Sequence, residues 1–454
     1  ARPQLQRVYG PTSVVGTSIG SFSYFGNPYP AGTVFYDNID GFFRTALTQQ
    51  HNLSFSGGVP DNRITYRLAG ALDRQQGVVP NADYNRINLT GRSQALVNSW
   101  LRADLSMNYA YVNNNQSYKG DIGPLIGLLL WPQSDNAKDW LTPAGNRRRI
   151  TTLSSTGEVD NPYFNVEKNN VNSTNNRLLT NVGLTVSPFT WGHFQTNIGT
   201  DGYTNQNSAL RNPESAAGFG FGGVLDLADD ITRNVNAQTL FNIDPVTFMG
   251  DFSVGGLVGN QISDFKSTNH SLKGQDFLDP NFVSINNTNL RTNRTTINQR
   301  RLVSLFAQAT LDYRKYLFVN LTGRNDWTST IPTTRNSFFY PSISTSFIFS
   351  DAFPSLGRFM SGKLRAAYAE VGKDARPYAY RPSLEFKTTA NGGYGYGFTG
   401  PNLALKPEFA RSYEIGTELG FLNDRVGLDV TTYRKQTKDQ IVNDIRGSYA
   451  TGYI

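Results

Sequence analysis

The chain has 454 residues, of which 38% are hydrophobic and 17% charged, and its formal net charge is +7. No run approaches the roughly 20 apolar residues of a transmembrane helix, and the absence of cysteine excludes disulfides and zinc–thiolate sites. The lysines and arginines are scattered and form no basic stripe, which argues against nucleic-acid binding. The composition leaves two classes open, two or three soluble domains or one large β-barrel.

In chain order, residues 1–50 are irregular and rich in Gly, Pro, Tyr and Phe, so no long strand is predicted there. Alternation of apolar and polar side chains predicts eight strands before residue 300. They lie at 53–58, 63–73, 84–93, 100–111, 178–186, 194–202, 235–241 and 248–258. The segments between them predict long outer loops at about 112–175, 204–231 and 259–299, the first with a short helix near 122–130.

Alternation is clearest in the strand predicted from Val303 to Tyr313. Every second residue there is apolar or aromatic, while Ser304, Gln308 and Asp312 lie in the opposite register. Side chains of a strand point to opposite faces in turn, so this strand has one apolar and one polar face. Arg314 and Lys315 form a tight connection to the next strand, which is predicted at 317–326. Further strands are predicted at 339–349, 364–371, 413–421 and 426–437, with a fourth long outer loop at about 374–409 that contains one short strand.

The strand lengths and the loop lengths both indicate a membrane barrel. Several strands have about ten residues or more, the length that a tilted strand needs to cross a bilayer. Short and long connections alternate along the chain, as they do in outer-membrane barrels. The charged residues Asp312, Arg324 and Glu418 all lie in the polar register. The sequence therefore predicts an all-β fold, a transmembrane antiparallel β-barrel.

Aromatic residues gather near the predicted strand ends. Such positions are typical of the aromatic girdles at membrane–water interfaces, although ordinary β-propensity explains any single one of them. The candidate interface aromatics are Trp100, Tyr109, Tyr111, Trp191, Tyr313, Tyr316 and Phe421.

A second aromatic group lies in or beside the predicted outer loops. Aromatic faces are flat, apolar and rigid, which suits contact with sugar rings or with a protein lid; local loop packing is the alternative. The candidate substrate or lid contacts are Trp131, Trp140, Trp327, Tyr394, Tyr396 and Phe398.

Other motifs indicate little chemistry. His51, His193 and His270 are the only histidines and have no metal-motif spacing. Two G-x-G-x-x-G stretches, at 218–223 and 395–400, lack the strand and helix that a dinucleotide site requires. The acidic run at 226–230 is a candidate calcium-binding loop. No catalytic residue, resident metal site or other cofactor is predicted.

Seven stretches resemble the SusC-like (RagA-like) TonB-dependent transporters of Gram-negative outer membranes. They occur in the family's order and are spread over nearly the whole chain, so together they are specific. They are 51–58 (HNLSFSGG), 161–164 (NPYF), 187–191 (SPFTW), 320–327 (NLTGRNDW), 339–342 (FYPS), 364–372 (LRAAYAEVG) and 412–439 (SYEIGTELGFLNDRVGLDVTTYRKQTKD).

The resemblance implies a barrel of roughly 22 strands with a plug domain inside its lumen. Neither a plug nor a TonB box is recognisable here, and about 14–16 of the strands are expected. Residues 1–50 then correspond to an extracellular loop after a missing first strand, and residues 51–454 to part of the barrel. Because open sheet edges are not tolerated in lipid, we expect the remaining strands to exist in the whole molecule.

The resemblance also implies import of glycan oligomers or peptides, without covalent chemistry. A SusD-like surface lipoprotein would act as lid, the TonB–ExbB–ExbD complex would act through the plug, and lipid and lipopolysaccharide would surround the barrel. Three alternatives stay open. They are a SusC-like structural subunit of a larger outer-membrane complex, a soluble β-rich glycan-binding protein, and an outer-membrane enzyme.

Overall fold

The computed structural model describes residues 6–15, 18–19, 23–150, 158–357, 359–381, 384–387, 393–396, 402–423 and 425–442. Within them, fourteen strands form one antiparallel sheet in which each strand pairs with its neighbours along the sheet in chain order. The strands Thr48–Gly58 and Val426–Lys438 lie at the two edges of this sheet. The prediction of an all-β antiparallel fold is confirmed.

Among the described residues, four short strands form two small separate ladders, and the other strands form the large sheet. In chain order they are β1 (Val14–Val15), β2 (Ser18–Ile19), β3 (Thr48–Gly58), β4 (Ile64–Gln76), β5 (Asp83–Asn98), β6 (Leu101–Gln116), β7 (Asn170–Val186), β8 (Gly192–Arg211), β9 (Val224–Phe248), β10 (Phe252–Phe277), β11 (Thr288–Tyr313), β12 (Leu317–Thr328), β13 (Ser337–Ile348), β14 (Met360–Lys373), β15 (Leu384–Lys387), β16 (Gly393–Tyr396), β17 (Glu408–Phe421) and β18 (Val426–Lys438).

A tight turn joins β11 to β12, as the sequence predicts. Arg314 and Lys315 both have positive φ, 50° and 59°, the backbone of a turn whose twist matches paired strands. The Lys315 N–H donates to Asp312 Oδ1 at 2.8 Å, and Arg314 Nη2 donates to Asp251 Oδ2 at 2.8 Å. The hydrogen bond from Arg314 lowers the pKa of the Asp251 carboxyl. Side-chain contacts thus support a turn that lacks glycine.

The prediction of long outer loops at 204–231 and 259–299 is wrong, because most of these residues belong to strands. β9, β10 and β11 have 25, 26 and 26 residues and stay in register almost to their ends. The predicted loops at 204–231 and 259–299 therefore shrink to short connections. The physical reason is that both faces of these strands are polar near their outer ends, so no alternation marks them in the sequence.

The other two predicted loops are closer to the structure. β6 ends at Gln116 and β7 begins at Asn170, so the insert predicted at 112–175 covers residues 117–169. The region predicted as a loop at 374–409 contains β15 and β16, which pair with each other. One short strand is predicted there, and the described residues of this region form two.

Six short α-helices lie in the connections, as far as the structure describes them. They are α1 (Asn38–Phe42), α2 (Pro124–Leu130), α3 (Pro162–Lys168), α4 (Ala216–Phe219), α5 (Phe349–Ala352) and α6 (Pro354–Gly357). α2 is the short helix predicted near 122–130. α3 starts after Asn161, whose Oδ1 accepts a hydrogen bond from the Tyr163 N–H at 2.8 Å. None of the described helices is long and apolar enough to cross a bilayer.

Candidate functional site

The large sheet has an apolar face and a polar face. Cross-strand partners share a face, and pairing places Leu311 beside Val319 and Thr310 beside Asn320. We call the face that carries Leu305 and Leu311 the apolar face, and the opposite one the polar face. Leu305 is 52% exposed and Leu428 of the same face is 49% exposed. Within the described residues no second layer covers these rows, so the apolar face is not the core of a soluble sandwich.

Hydrogen-bonded charged residues cross the polar face. Arg324 donates through Nη2 to Ser304 Oγ and through Nε to Asp326 Oδ1, both at 2.8 Å. Tyr340 donates its hydroxyl proton to the other Asp326 oxygen at 2.6 Å. Asp326 is 4% exposed, and Arg324 of β12 and Tyr340 of β13 compensate its charge. Ser304 of β11 holds Arg324 in place. This network fixes part of the polar wall rather than leaving its charges free.

A groove of about 780 Å³ lies on the polar face near the outer ends of β7 to β11. Its lining is mostly uncharged, and half of the lining residues carry amide or hydroxyl groups, which both donate and accept hydrogen bonds. Lys273 Nζ lies 3.5 Å from Asp226 Oδ1, which balances part of its charge. The polar-face side chains that line it include Ser173, Asn207, Asp226, Ser271, Lys273 and Arg294. This groove can hold a ligand that is rich in hydroxyl or amide groups.

The insert between β6 and β7 folds into a compact unit at the outer end of the sheet. We call its described residues, 117–150 and 158–169, the outer cap. Its core joins Leu128 of α2 and Val166 of α3 to Phe42 of α1. Asn38 of α1 donates to the Asp135 carbonyl at 2.9 Å and accepts from the Ala137 N–H at 3.0 Å. The residues that precede β3 therefore pack against the cap.

Buried charges attach the outer cap to the connection between β8 and β9. Arg147 Nη2 lies 3.1 Å from Glu158 Oε1 and 3.0 Å from Asp160 Oδ1. Asp160 in turn accepts hydrogen bonds from Ser215 Oγ at 2.7 Å and from the Ala216 N–H at 2.8 Å. Burial lowers the pKa of the Arg147 guanidinium, and the two carboxylates oppose that shift.

The structure separates the three tryptophans predicted to touch substrate or a lid. Trp131 is 2% exposed and its Nε1 donates to Asp135 Oδ2 at 3.0 Å, so its ring is enclosed and the prediction of direct ligand contact is wrong. Trp140 is half-buried against Phe164, with ring centroids 6.0 Å apart. Trp327 lies in β12 opposite Val303, on the apolar face, which removes it from the lumen side.

The three remaining candidate contacts are residues of β16 and of the segment that follows it in the chain. Tyr394 and Tyr396 lie in β16, whose backbone pairs with that of β15. Their side chains, and the whole of Phe398, lie outside the described residues. Their contact with cargo or a lid stays a prediction.

The predicted interface aromatics lie at two levels along the strands. Near the short turns, Trp191 stacks on Phe189 at 5.0 Å, and Tyr313 contacts Tyr316 edge-on at 5.4 Å. Trp100 and Phe421 lie at the same end. Toward the other end of β6 lie Tyr109 and Tyr111, the second ten residues beyond Leu101. About ten tilted residues is also the length that spans a bilayer.

The acidic run predicted to bind calcium is not a loop. It lies in β9, where Asp226 and Asp230 face one side and Asp229 the other. Asp226 approaches Lys273, and Asp230 accepts from Asn269. Within the described residues no group of three or more His, Cys, Asp or Glu side chains is placed to hold a metal ion.

Sequence reasoning missed the groove and the buried charges of the cap. Lys273 and Arg294 lie in segments predicted as loop, and only the pairing of β9, β10 and β11 brings them to one face. Arg147 and Glu158 belong to an insert with no periodic pattern. The one available signal was the high frequency of Asn, Ser and Thr in the long polar stretches.

Comparison with known proteins agrees with this architecture. Residues 128–454 match the family described as TonB dependent receptor-like, beta-barrel. The chain is 23% identical to the TonB-dependent receptor SusC of Bacteroides thetaiotaomicron, over 94% of this chain and 45% of that protein. The chain thus spans about half the length of this relative.

Solved structures share the fold. The RagAB peptide transporter structure matches with a TM-score of 0.71 at 18% identity, over 92% of this chain and 47% of that one. The siderophore receptor PirA from Acinetobacter baumannii matches with a TM-score of 0.51 at 15% identity, over 87% of this chain and 50% of that one. At these identities the likeness concerns the fold alone.

The family match covers well over half of the chain, and the family forms β-barrels in the outer membrane. The apolar face of the sheet is therefore the lipid-facing side, and the polar face lines the lumen. The chain belongs to the TonB-dependent receptor-like β-barrel family of the outer membrane, and it is similar to SusC over 94% of its length.

Proposed function

We propose that this chain forms part of the barrel wall of an importer that carries glycan oligomers or peptides across the outer membrane. The observation that carries the proposal is the groove of about 780 Å³ on the lumen face, with its lining of amide and hydroxyl side chains. Such groups match sugar hydroxyls and peptide bonds equally well. Transport then requires binding and release only, and no covalent step by this chain.

The peptide alternative has support from the RagAB peptide transporter, whose fold this chain shares. The glycan alternative has support from the SusC-like sequence motifs. The groove contains one cation–carboxylate pair, Lys273 with Asp226, and one further cation, Arg294. Its net charge is small, which favours cargo that is uncharged along most of its length.

The proposed partners are a SusD-like lipoprotein lid at the outer surface and the TonB–ExbB–ExbD complex, acting through a plug domain. Exposed apolar side chains on the outer cap support a protein partner at this end. Leu125, Ile126 and Leu129 of α2 are 48%, 41% and 40% exposed, and exposed apolar patches mark interaction surfaces.

A pair of neighbouring substitutions tests the groove. Ser271→Trp places a large ring on the lumen face inside the groove, and Leu272→Trp places the same ring on the opposite face. The test uses the full-length protein in cells that lack the native copy. We expect Ser271→Trp to lower uptake of the cargo at least tenfold, because the ring fills the groove, and Leu272→Trp to change it less than twofold.

Uptake is measured with radiolabelled neutral oligosaccharides and with peptides of matched size, in cells with and without TonB. Import of either cargo that requires TonB and that Ser271→Trp abolishes supports the proposal. Equal uptake by both variants would show that the groove is not on the transport path. Failure of every cargo in cells with correctly inserted protein would favour a structural role in a larger complex.

A further inference from the structure

On the lipid-facing side, the side chains of three adjacent strands change from apolar to charged at the same height. On β11 the apolar face runs from Tyr313 to Val303, and the next residue on that face is Arg301. On β10 it runs from Phe252 to Ile262, and Asp264 and Lys266 follow. β9 shows the same change, with Val235 followed by Arg233. Since about 9–11 residues cross the bilayer, the change marks its outer boundary.

The charged residues at this boundary form one cluster. Pairing places Arg301 opposite Asp264, and Lys266 opposite Arg233. Arg301 Nε donates to Asp264 Oδ2 at 2.7 Å, and Arg233 Nη2 lies 3.6 Å from Asp264 Oδ1. We call Arg233, Lys266 and Arg301 the rim cations. Two of these positive charges thus pair with a single carboxylate on the lipid-facing side, and the third, on Lys266, follows Asp264 by two residues on the same face of β10.

The rim cations have donors left for a ligand. The side chains of Arg233 and Arg301 are 64% and 61% exposed, whereas that of Asp264 is 12% exposed. Lys266 is exposed and has no ion pair within the part of the chain that the structure describes. The net charge of about +2 therefore faces the headgroup layer, directly above the apolar rows.

The apolar side chains next to the rim cations complete an amphiphilic surface. Ile262 and Leu305 are 45% and 52% exposed on the membrane side of the cluster, and Trp327 lies opposite Val303 at the same boundary. An anionic headgroup would meet the cations while its acyl chains lie along the apolar rows. Arginine suits phosphate in particular, because its planar guanidinium forms two parallel hydrogen bonds.

We propose that the rim cations bind the phosphorylated headgroup of an outer-leaflet lipid, whose acyl chains pack on the apolar rows of β10 and β11. The site rests on the outer-membrane location of the barrel and is independent of which cargo it carries. Bound in this way, the lipid neutralises the excess charge of the cluster and holds the outer ends of β9 to β11 at the membrane boundary.

The test compares two lysines of the same strand. Lys266→Gln removes a rim cation without breaking an ion pair, and Lys273→Gln removes a cation from the lumen face. The full-length protein in neutral detergent micelles is titrated with diphosphoryl lipid A, and half-saturation is read from the lipid-induced rise in thermal unfolding temperature. Arg233→Gln serves as a second variant of the cluster.

We expect Lys266→Gln and Arg233→Gln each to raise the half-saturating lipid concentration about fivefold, the change that corresponds to about 1 kcal/mol per basic residue near a charged lipid surface. Lys273→Gln should change it less than twofold. Phosphatidylethanolamine, which is zwitterionic, should bind more weakly than lipid A.

Two results would overturn the proposal. The first is an equal effect of Lys266→Gln and Lys273→Gln, which would indicate attraction by overall charge. The second is full protection by inorganic phosphate at the same phosphate concentration, which would indicate a free-anion site. Because the readout contains no cargo, a failure here leaves the transport proposal intact.

Discussion

At the scale of single residues, Arg147 shows how the outer cap is held. Its side chain is 3% exposed, and so is that of Glu158 at 2%, which places an ion pair away from water. The Arg147 guanidinium also lies over the Phe164 ring at 5.2 Å. Buried ion pairs are costly to form, but removing one partner leaves an uncompensated charge. The cap therefore depends on this residue more than on its exposed neighbours.

We expect Arg147→Met to destabilise the outer cap by about 3–5 kcal/mol, because Asp160 loses its cation and Glu158 keeps only Arg149, at 3.6 Å. Hydrogen exchange measured by mass spectrometry should show faster exchange in peptides from the outer cap, with the strands of the sheet unchanged. Arg148→Met is the matched control, since the Arg148–Asp135 pair is partly exposed, at 27% and 25%, and such pairs contribute about 0–1 kcal/mol. Equal exchange in both variants would contradict this view of the cap.

At the scale of the strand, neighbouring residues of β11 differ in whether they tolerate a charged side chain, because they lie on opposite faces. Ala307 lies near the middle of the apolar row from Val303 to Tyr313, and Gln308 lies on the lumen face. A charge at the first position meets hydrocarbon, whereas a charge at the second meets a wet lumen. The difference between adjacent positions is thus a direct measure of which face touches lipid.

We expect Ala307→Arg to lower the stability of the folded barrel in lipid by roughly 2–4 kcal/mol. Gln308→Arg should cost less than about 1 kcal/mol, since a polar residue that faces the lumen costs little. The measurement is the urea dependence of folding into phospholipid vesicles, followed by heat-modified gel mobility of the full chain. A larger loss for Gln308→Arg than for Ala307→Arg would reverse the assignment of the faces.

At the scale of the whole molecule, the aromatic residues define where the membrane begins. The contacts of Phe248, Phe252 and Tyr313 continue from strand to strand at the short-turn end, with centroids 5.6 and 4.6 Å apart. Trp191 is 47% exposed at this end, and Trp131 is enclosed in the outer cap. The two tryptophans should therefore report on lipid differently.

We expect lipids brominated near the headgroup end of the acyl chain to quench part of the tryptophan fluorescence of the reconstituted protein. Trp191→Phe should remove a measurable share of that quenching, because its ring lies at the inner interface. Trp131→Phe should lower total fluorescence and leave the quenched component unchanged. Loss of quenching in the Trp131 variant alone would place the membrane boundary elsewhere.

The parts of the fold that cross the membrane could be predicted from the sequence. In strands such as β11, β12, β17 and β18, apolar and polar residues alternate because lipid contacts one face and water contacts the other. This contrast is visible in the sequence at every residue of the strand. The tight turn at Arg314 and Lys315 followed from the spacing of the two patterns. The outer parts of β9, β10 and β11 could not be predicted, because water wets both of their faces.

The candidate site was harder to predict than the fold. The outer aromatic residues pointed to the correct end of the barrel, but Trp131 turned out to be a core residue of the cap and Trp327 a residue of the lipid-facing side. An aromatic ring uses the same apolar surface to pack in a protein core, to contact lipid or to contact a ligand. The residue type therefore does not distinguish these three roles.

The sequence by itself determined the architecture of this protein, a sheet with one face for lipid and one for water, because the solvent on each side acts on every second residue. Only the tertiary structure decided which polar residues meet in the groove, around Arg147 and at the rim cations. Those groups come from strands and inserts far apart in the chain, and it is the hydrogen-bonded register of the strands that brings them together.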